Sequence, residues 1–121
     1  MDNIDAMEFA REWEAAWNRQ DVEAVLQHFH EDAVFTSQLA QRIGAAANGM
    51  LNGKNAIRNY WKAALAQGPA MRFQVTRVYE GVNTLVIAFA MTNKDRQVDR
   101  IEVLTFKNGR VIEGHGTSAV N

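Results

Sequence analysis

Apolar positions recur every three or four residues through the first half of the chain and every two through the second. Asp5, with Glu8 three residues on, has the spacing of a capping box, and Phe9, Trp13, Ala16 and Trp17 follow at helical intervals. The pattern predicts a first helix ending near Asn18. Asp21 can cap a second, in which Val22, Val25, Leu26 and Phe29 share a face. Ala33 to Ser37 is β-branched or aromatic and reads as a strand. A third helix starts near Gly53, carries Ala56, Ile57, Tyr60, Trp61, Ala64 and Leu65 as its stripe, and stops at Gly68-Pro69. Between them, residues 38–52 are weakly patterned, as a lid, a binding loop or a disordered loop would be.

From Met71 onward the chain alternates, with turn signals at Gly81-Val82-Asn83, Asn93-Lys94-Asp95 and Asn108-Gly109. Four strands joined as hairpins, one earlier strand and three helices predict an α+β fold, helices packed on one face of a largely antiparallel sheet. The run VNTLVIAFAM is apolar on both faces: Leu85, Ile87, Phe89 and Met91 on one, Val86, Ala88 and Ala90 on the other. A strand apolar on both sides is normally covered on both. Helices supply one cover and a second subunit the other, so a homodimer through the sheet is expected.

Bulk properties narrow the classes. The 121 residues suit one domain, read as 1–121, and the formal net charge of −1 comes without a run of either sign. Nothing draws such a chain to nucleic acid or an anionic membrane. There is no cysteine, hence no disulfide, thiolate metal site or cysteine nucleophile. The start, MDNIDAMEF, has no apolar core of a signal peptide, and no apolar run reaches membrane-spanning length, so a cytoplasmic location is expected.

The last hairpin carries the candidate chemistry. If Asn108 and Gly109 form a two-residue type I′ turn, Lys107 faces Arg110, Phe106 faces Val111, Leu104 faces Glu113 and Glu102 faces His115. Facing residues share a side of the sheet with Cβ atoms about 5 Å apart, so in this register Glu102 meets His115. An apolar setting raises a carboxyl pKa and lowers an imidazole's, while mutual attraction does the reverse; such opposed effects tune acid–base pairs. The same pair also reads as a structural ion pair, and a three- or four-residue loop moves one partner to the other face. The cluster HFHED, residues 28–32, does not bring both imidazoles to one helical face and reads as a solvated helix end, with no metal expected. Phosphate-loop and serine-nucleophile motifs are absent.

The stretches WNRQDVEAVLQHFHEDAVFTS, GKNAIRNYW and EVLTFKNGRVIEGHGT, in this order and spacing, resemble the SnoaL-like branch of the nuclear transport factor 2-like superfamily. That resemblance implies a cystatin-like, cone-shaped fold, a curved sheet wrapped around a long helix, which binds small apolar molecules and commonly dimerises through the sheet. Its members include ketosteroid isomerase, polyketide cyclases, limonene epoxide hydrolase, scytalone dehydratase and noncatalytic proteins, so the fold alone leaves function open. Of the isomerase's groups, the general base falls on Ser37, the oxyanion-hole tyrosine on Trp13 and the protonated aspartate on Glu102; only the last keeps its chemistry. The cyclases' acid–base aspartate lies in the segment matching EGHG, where His115 is the nearest equivalent. The hydrolase's carboxylates and arginine are approximated by Asp99, Arg100 and Glu102, with Asp99 on the opposite face.

The expected function is therefore binding of a small apolar ligand in the cone. Cofactor-independent isomerisation, cyclisation or dehydration would use His115 and Glu102, while Trp13, Trp17, Phe35, Tyr60, Phe89 and Leu104 line the pocket. The rival is a noncatalytic ligand-binding or assembly domain in which Glu102 and His115 only hold the hairpin.

Overall fold

A computed structural model describes residues 4–121. Helix α1 spans Ala6–Asn18, with the Asp5 carboxylate accepting from the Glu8 amide at 3.0 Å. It buries Phe9, Ala10, Trp13, Ala16 and Trp17. The short α2, Val22–Leu26, is capped by Asp21 in the same way. Strand β1, Phe29–Thr36, begins earlier than its β-branched run suggested, because Phe29 pairs with Val111 rather than extending the helix.

Residues 38–52 hold two short elements. Ser37 caps a helical turn, α3 (Gln38–Arg42), and Met50–Asn52 form an edge strand, β2, on β1. Neither was legible, since five and three residues hold no periodicity. Helix α4, Lys54–Gln67, follows and buries Ile57, Tyr60 and Trp61. The described residues thus hold four helices and six strands, against the three and about five expected.

Strands β3 (Arg72–Gly81), β4 (Thr84–Thr92), β5 (Gln97–Lys107) and β6 (Arg110–Ser118) form the expected antiparallel meander. The sheet order is β2-β1-β6-β5-β4-β3, with β1 parallel to β6. Register shifts interrupt β1/β6, β3/β4 and β5/β6. Such bulges bend strands, and this sheet curls around α1 and α4. Glu14 and Asn18, one helical turn apart, tie α1 to the edge strand. The Asn18 amide exchanges two hydrogen bonds with the Phe73 backbone at 2.8 and 3.0 Å, and the Glu14 carboxylate accepts from Val75 N. These contacts occupy backbone groups that an edge strand otherwise leaves open.

The last hairpin corrects the expected register. Asn108 and Gly109 both take positive φ, 52° and 79°, as a type I′ turn requires, and Lys107 faces Arg110 and Phe106 faces Val111. Beyond that the register slips by one, so Thr105 faces Glu113, Leu104 faces Gly114, Val103 faces His115 and Glu102 faces Gly116. Ile112 is the extra residue. One inserted residue sends every later side chain of β6 to the other face. Glu102 and His115 therefore lie on opposite sides of the sheet, and the acid–base pair does not form.

Candidate functional site

The concave face of the sheet, α4 and the α3 segment enclose a cavity of about 420 Å³. Of the six expected lining residues, Trp17, Phe35, Tyr60 and Phe89 line it. Trp13 and Leu104 lie outside its wall, buried in the core. Trp13 packs edge-on against Phe89 at 4.8 Å, and Trp17 stacks on Phe73 and meets Trp61 edge-on.

Glu102 is the one buried charged-type side chain among the described residues, only 6% exposed, and it lines the cavity. No described side chain hydrogen-bonds it, and the residue facing it across β6 is Gly116, which contributes no side chain. Burial pushes its carboxyl up to about 8, and the nearby Arg100 charge only partly opposes this. At neutral pH the group is then mostly a carboxylic acid, carrying a proton it can donate.

Arg100 sits two residues before Glu102 on the same face of β5. Burial lowers its guanidinium pKa; Tyr60 and Glu102 favour the charge, whereas Arg96 and Arg42 oppose it. Arg42 on α3 and Arg96 in the β4–β5 loop also line the cavity. The loop is pinned by Asn93, whose side chain accepts from the amides of Asp95 and Arg96. Tyr60 shares a 2.7 Å hydrogen bond with Ser37, and burial raises its phenol pKa. Among the described residues two buried donors have no partner, Trp17 Nε1 and Arg100 Nε, and both residues belong to this wall. Asp99, as expected, is exposed and off this face.

His115 is absent from the cavity wall. Its Nε2 lies 2.7 Å from the Glu113 carboxylate and its Nδ1 2.6 Å from Thr36 Oγ1. A carboxylate can only accept, so Nε2 carries the proton and Nδ1, in the neutral ring, accepts from the Thr36 hydroxyl. This Thr–His–Glu chain ties β1 to β6 on the convex face. Of HFHED, His28 packs on the Phe9 ring and faces Glu12 at 3.6 Å, while His30 donates to the Lys107 carbonyl. The two imidazoles serve separate contacts, His28 in the turn that ends α2, as a helix end was expected to be, and His30 in strand β1.

The arginines were the signal left unused in the sequence. Counting back by twos from Glu102 reaches Arg100 and then Arg96, but nothing local tells that Arg42 comes beside them.

A curled α+β sheet closed by helices over an aromatic cavity defines the nuclear transport factor 2-like architecture. Residues 10–114 match the SnoaL-like domain, and the chain belongs to that family. A SnoaL-like protein of unknown function from Burkholderia thailandensis is 29% identical, covers 94% of this chain and 93% of its own, and superposes with a TM-score of 0.84. An NTF2-like protein from Burkholderia pseudomallei is 19% identical over 94% and 90% of the two chains, with a TM-score of 0.78. A protein with a ketosteroid isomerase-like fold from Catenulispora acidiphila, solved in complex with trimethylamine, is 15% identical over 96% and 88%, with a TM-score of 0.73. The last two likenesses concern the fold alone. No curated protein sequence matches the chain. No helix among the described residues is long and apolar enough to cross a membrane.

Proposed function

We propose that this protein binds a small, mostly apolar molecule in its cavity, and that protonated Glu102 addresses the polar atom of that molecule as hydrogen-bond donor or general acid. The observation carrying this reading is a lone buried carboxyl, without a protein hydrogen bond, in the wall of an aromatic cavity of about 420 Å³. Ligand sites have this character: mostly apolar walls, few polar groups, a volume of several hundred Å³. A neutral carboxylic acid in an apolar site is also how ketosteroid isomerase stabilises an oxyanion. The chemistry this supports is cofactor-independent isomerisation, cyclisation or dehydration, with proton transfer assigned to Glu102 and not to His115. The noncatalytic alternative keeps the cavity and uses Glu102 only to orient the ligand.

Thermal-shift screening of apolar compounds on the wild type and on Ala64→Trp, which fills the cavity from α4, tests the binding reading. Compounds that stabilise only the wild type support it. Equal stabilisation of both proteins, or of neither, overturns it.

The same proposal extends to self-association. Val86, Ala88, Val103 and Ile101 lie on the convex face, Ile101 being 42% exposed, and this supports a homodimer through the sheet. Sedimentation of wild type against Val86→Lys is the check; a monomeric wild type sinks it.

A further inference from the structure

The cavity wall carries three arginines, Arg42, Arg96 and Arg100, and a single carboxyl, Glu102. None of the three forms an ion pair or side-chain hydrogen bond within the described residues. That is unusual for Arg100, which lies half-buried beside Phe89 in a low-polarity setting. Its Nε is buried without a partner, and the charges of Arg42 and Arg96 work against its own. Half-buried guanidinium groups are normally paired, because an unsatisfied charged donor costs more than a neutral one. Glu102 does not discharge this group: burial keeps its carboxyl mostly neutral at pH 7. The remaining wall is apolar or uncharged, with Trp17, Phe35, Trp61, Leu65, Met71 and Met91 around the space.

Resting on the cavity reading above, the geometry points to a ligand that is an amphipathic anion: an aromatic or aliphatic body in the cavity and a carboxylate received by Arg100, with Arg42 and Arg96 at the rim. Arg100 is the specificity-determining contact. Its planar fork matches a carboxylate in two parallel hydrogen bonds, whereas Arg42 and Arg96, both exposed, attract the anion and are screened by salt. A cationic ligand of the same shape meets three like charges and no ionised partner. A neutral one leaves the guanidinium unpaired.

The test is calorimetric titration at pH 7 with three matched sets of probes. Each set places a carboxylate, a primary amide or an amine on one skeleton: naphthylmethyl, cyclohexylpropyl or decyl. In at least one set the acid is expected to bind tenfold or more tightly than the amide, and the amine not at all. That ratio corresponds to one charge-assisted hydrogen-bond pair. Arg100→Gln is expected to bring acid and amide to within about threefold of each other, chiefly by weakening the acid. Arg42→Gln, at an exposed site that does not endanger folding, is expected to lower acid affinity severalfold in low salt and little in high salt. Amides or amines binding as tightly as acids overturn this inference and leave the cavity reading standing. So does a loss in Arg100→Gln that is equal for acid and amide. Failure of every probe to bind the wild type overturns both.

Discussion

Leu104 and Glu102 are neighbours on the same face of β5, yet one belongs to a packed core and the other to a cavity wall. Opposite each lies a glycine, Gly114 for Leu104 and Gly116 for Glu102. The space left by the missing side chain at Gly114 is filled: a Cβ there would meet Phe35 Cδ2 at 2.8 Å and Leu104 Cδ2 at 3.2 Å. At Gly116 the nearest atom, Phe35 Cζ, is 3.5 Å away, and the glycine lines the cavity. Phe9, Phe106, Leu26 and Val111 belong with Leu104 to the buried core cluster, whereas beside Glu102 the space stays open as the cavity. The contrast shows how one strand face can supply stability and a site within two residues. Close packing makes apolar burial worth most at Leu104, whereas the same burial, at a carboxyl without a partner, shifts Glu102 up to about 8.

The difference can be broken from the closed end first. Leu104→Ala removes a side chain with no exposed surface and is expected to cost about 3 kcal/mol in urea unfolding, as cavity-forming core truncations do. A cost below about 1 kcal/mol shows that this end is not close-packed. Next, Gly114→Ala forces a methyl into the Phe35 ring and should cost about 2 kcal/mol. Gly116→Ala, meeting only ordinary contact, should cost clearly less; equal losses erase the distinction between the two ends.

The open end is best probed by pH. The folded pKa of Glu102, about 8, lies above its unfolded value near 4.5, so between them the folded state binds more protons. Stability from this group is then greatest at low pH and is lost as pH rises toward 8. The wild type is expected to lose about 1.4 kcal/mol per pH unit relative to Glu102→Gln between about pH 5.5 and 7.5. Taking the difference cancels His28, whose burial-lowered pKa gives the opposite slope below its ordinary value. Parallel curves for the two proteins sink the claim that Glu102 is held neutral. A smaller effect belongs to Tyr60→Phe, which removes the bond to Ser37 and should cost about 1 kcal/mol. Least of all, His115→Ala should change stability by about 0.5 kcal/mol and leave ligand affinity alone, because its partners lie on the convex face.

Much of this fold was legible before any coordinates. Helix starts at Asp5 and Asp21, the α4 stripe, the Asn-Gly turn and the antiparallel meander all follow from local chemistry: a side chain that caps, a period, a residue tolerant of positive φ. The stretch 38–52 was not legible, because α3 and β2 are too short to carry a period and are held by Ser37 and by pairing to β1. The helix-end reading of residues 29–32 and the pairing of Glu102 with His115 failed for a related reason, as each depended on geometry that distant strands impose.

By itself, then, the sequence determined which residues pack, where the chain turns, and that Glu102 lies on an apolar face of its strand. Only the tertiary structure decided which partner that carboxyl has. The choice turns on a one-residue bulge at Ile112, which arises where β6 must pair with β5 on one side and with β1 on the other while the sheet curls. A bulge leaves no mark in the alternation of so short a strand, yet it exchanges the two faces beyond it. It turned His115 outward, set Gly116 opposite Glu102, and so left the carboxyl facing a cavity whose arginines come from two separate parts of the chain, α3 and the residues around the start of β5.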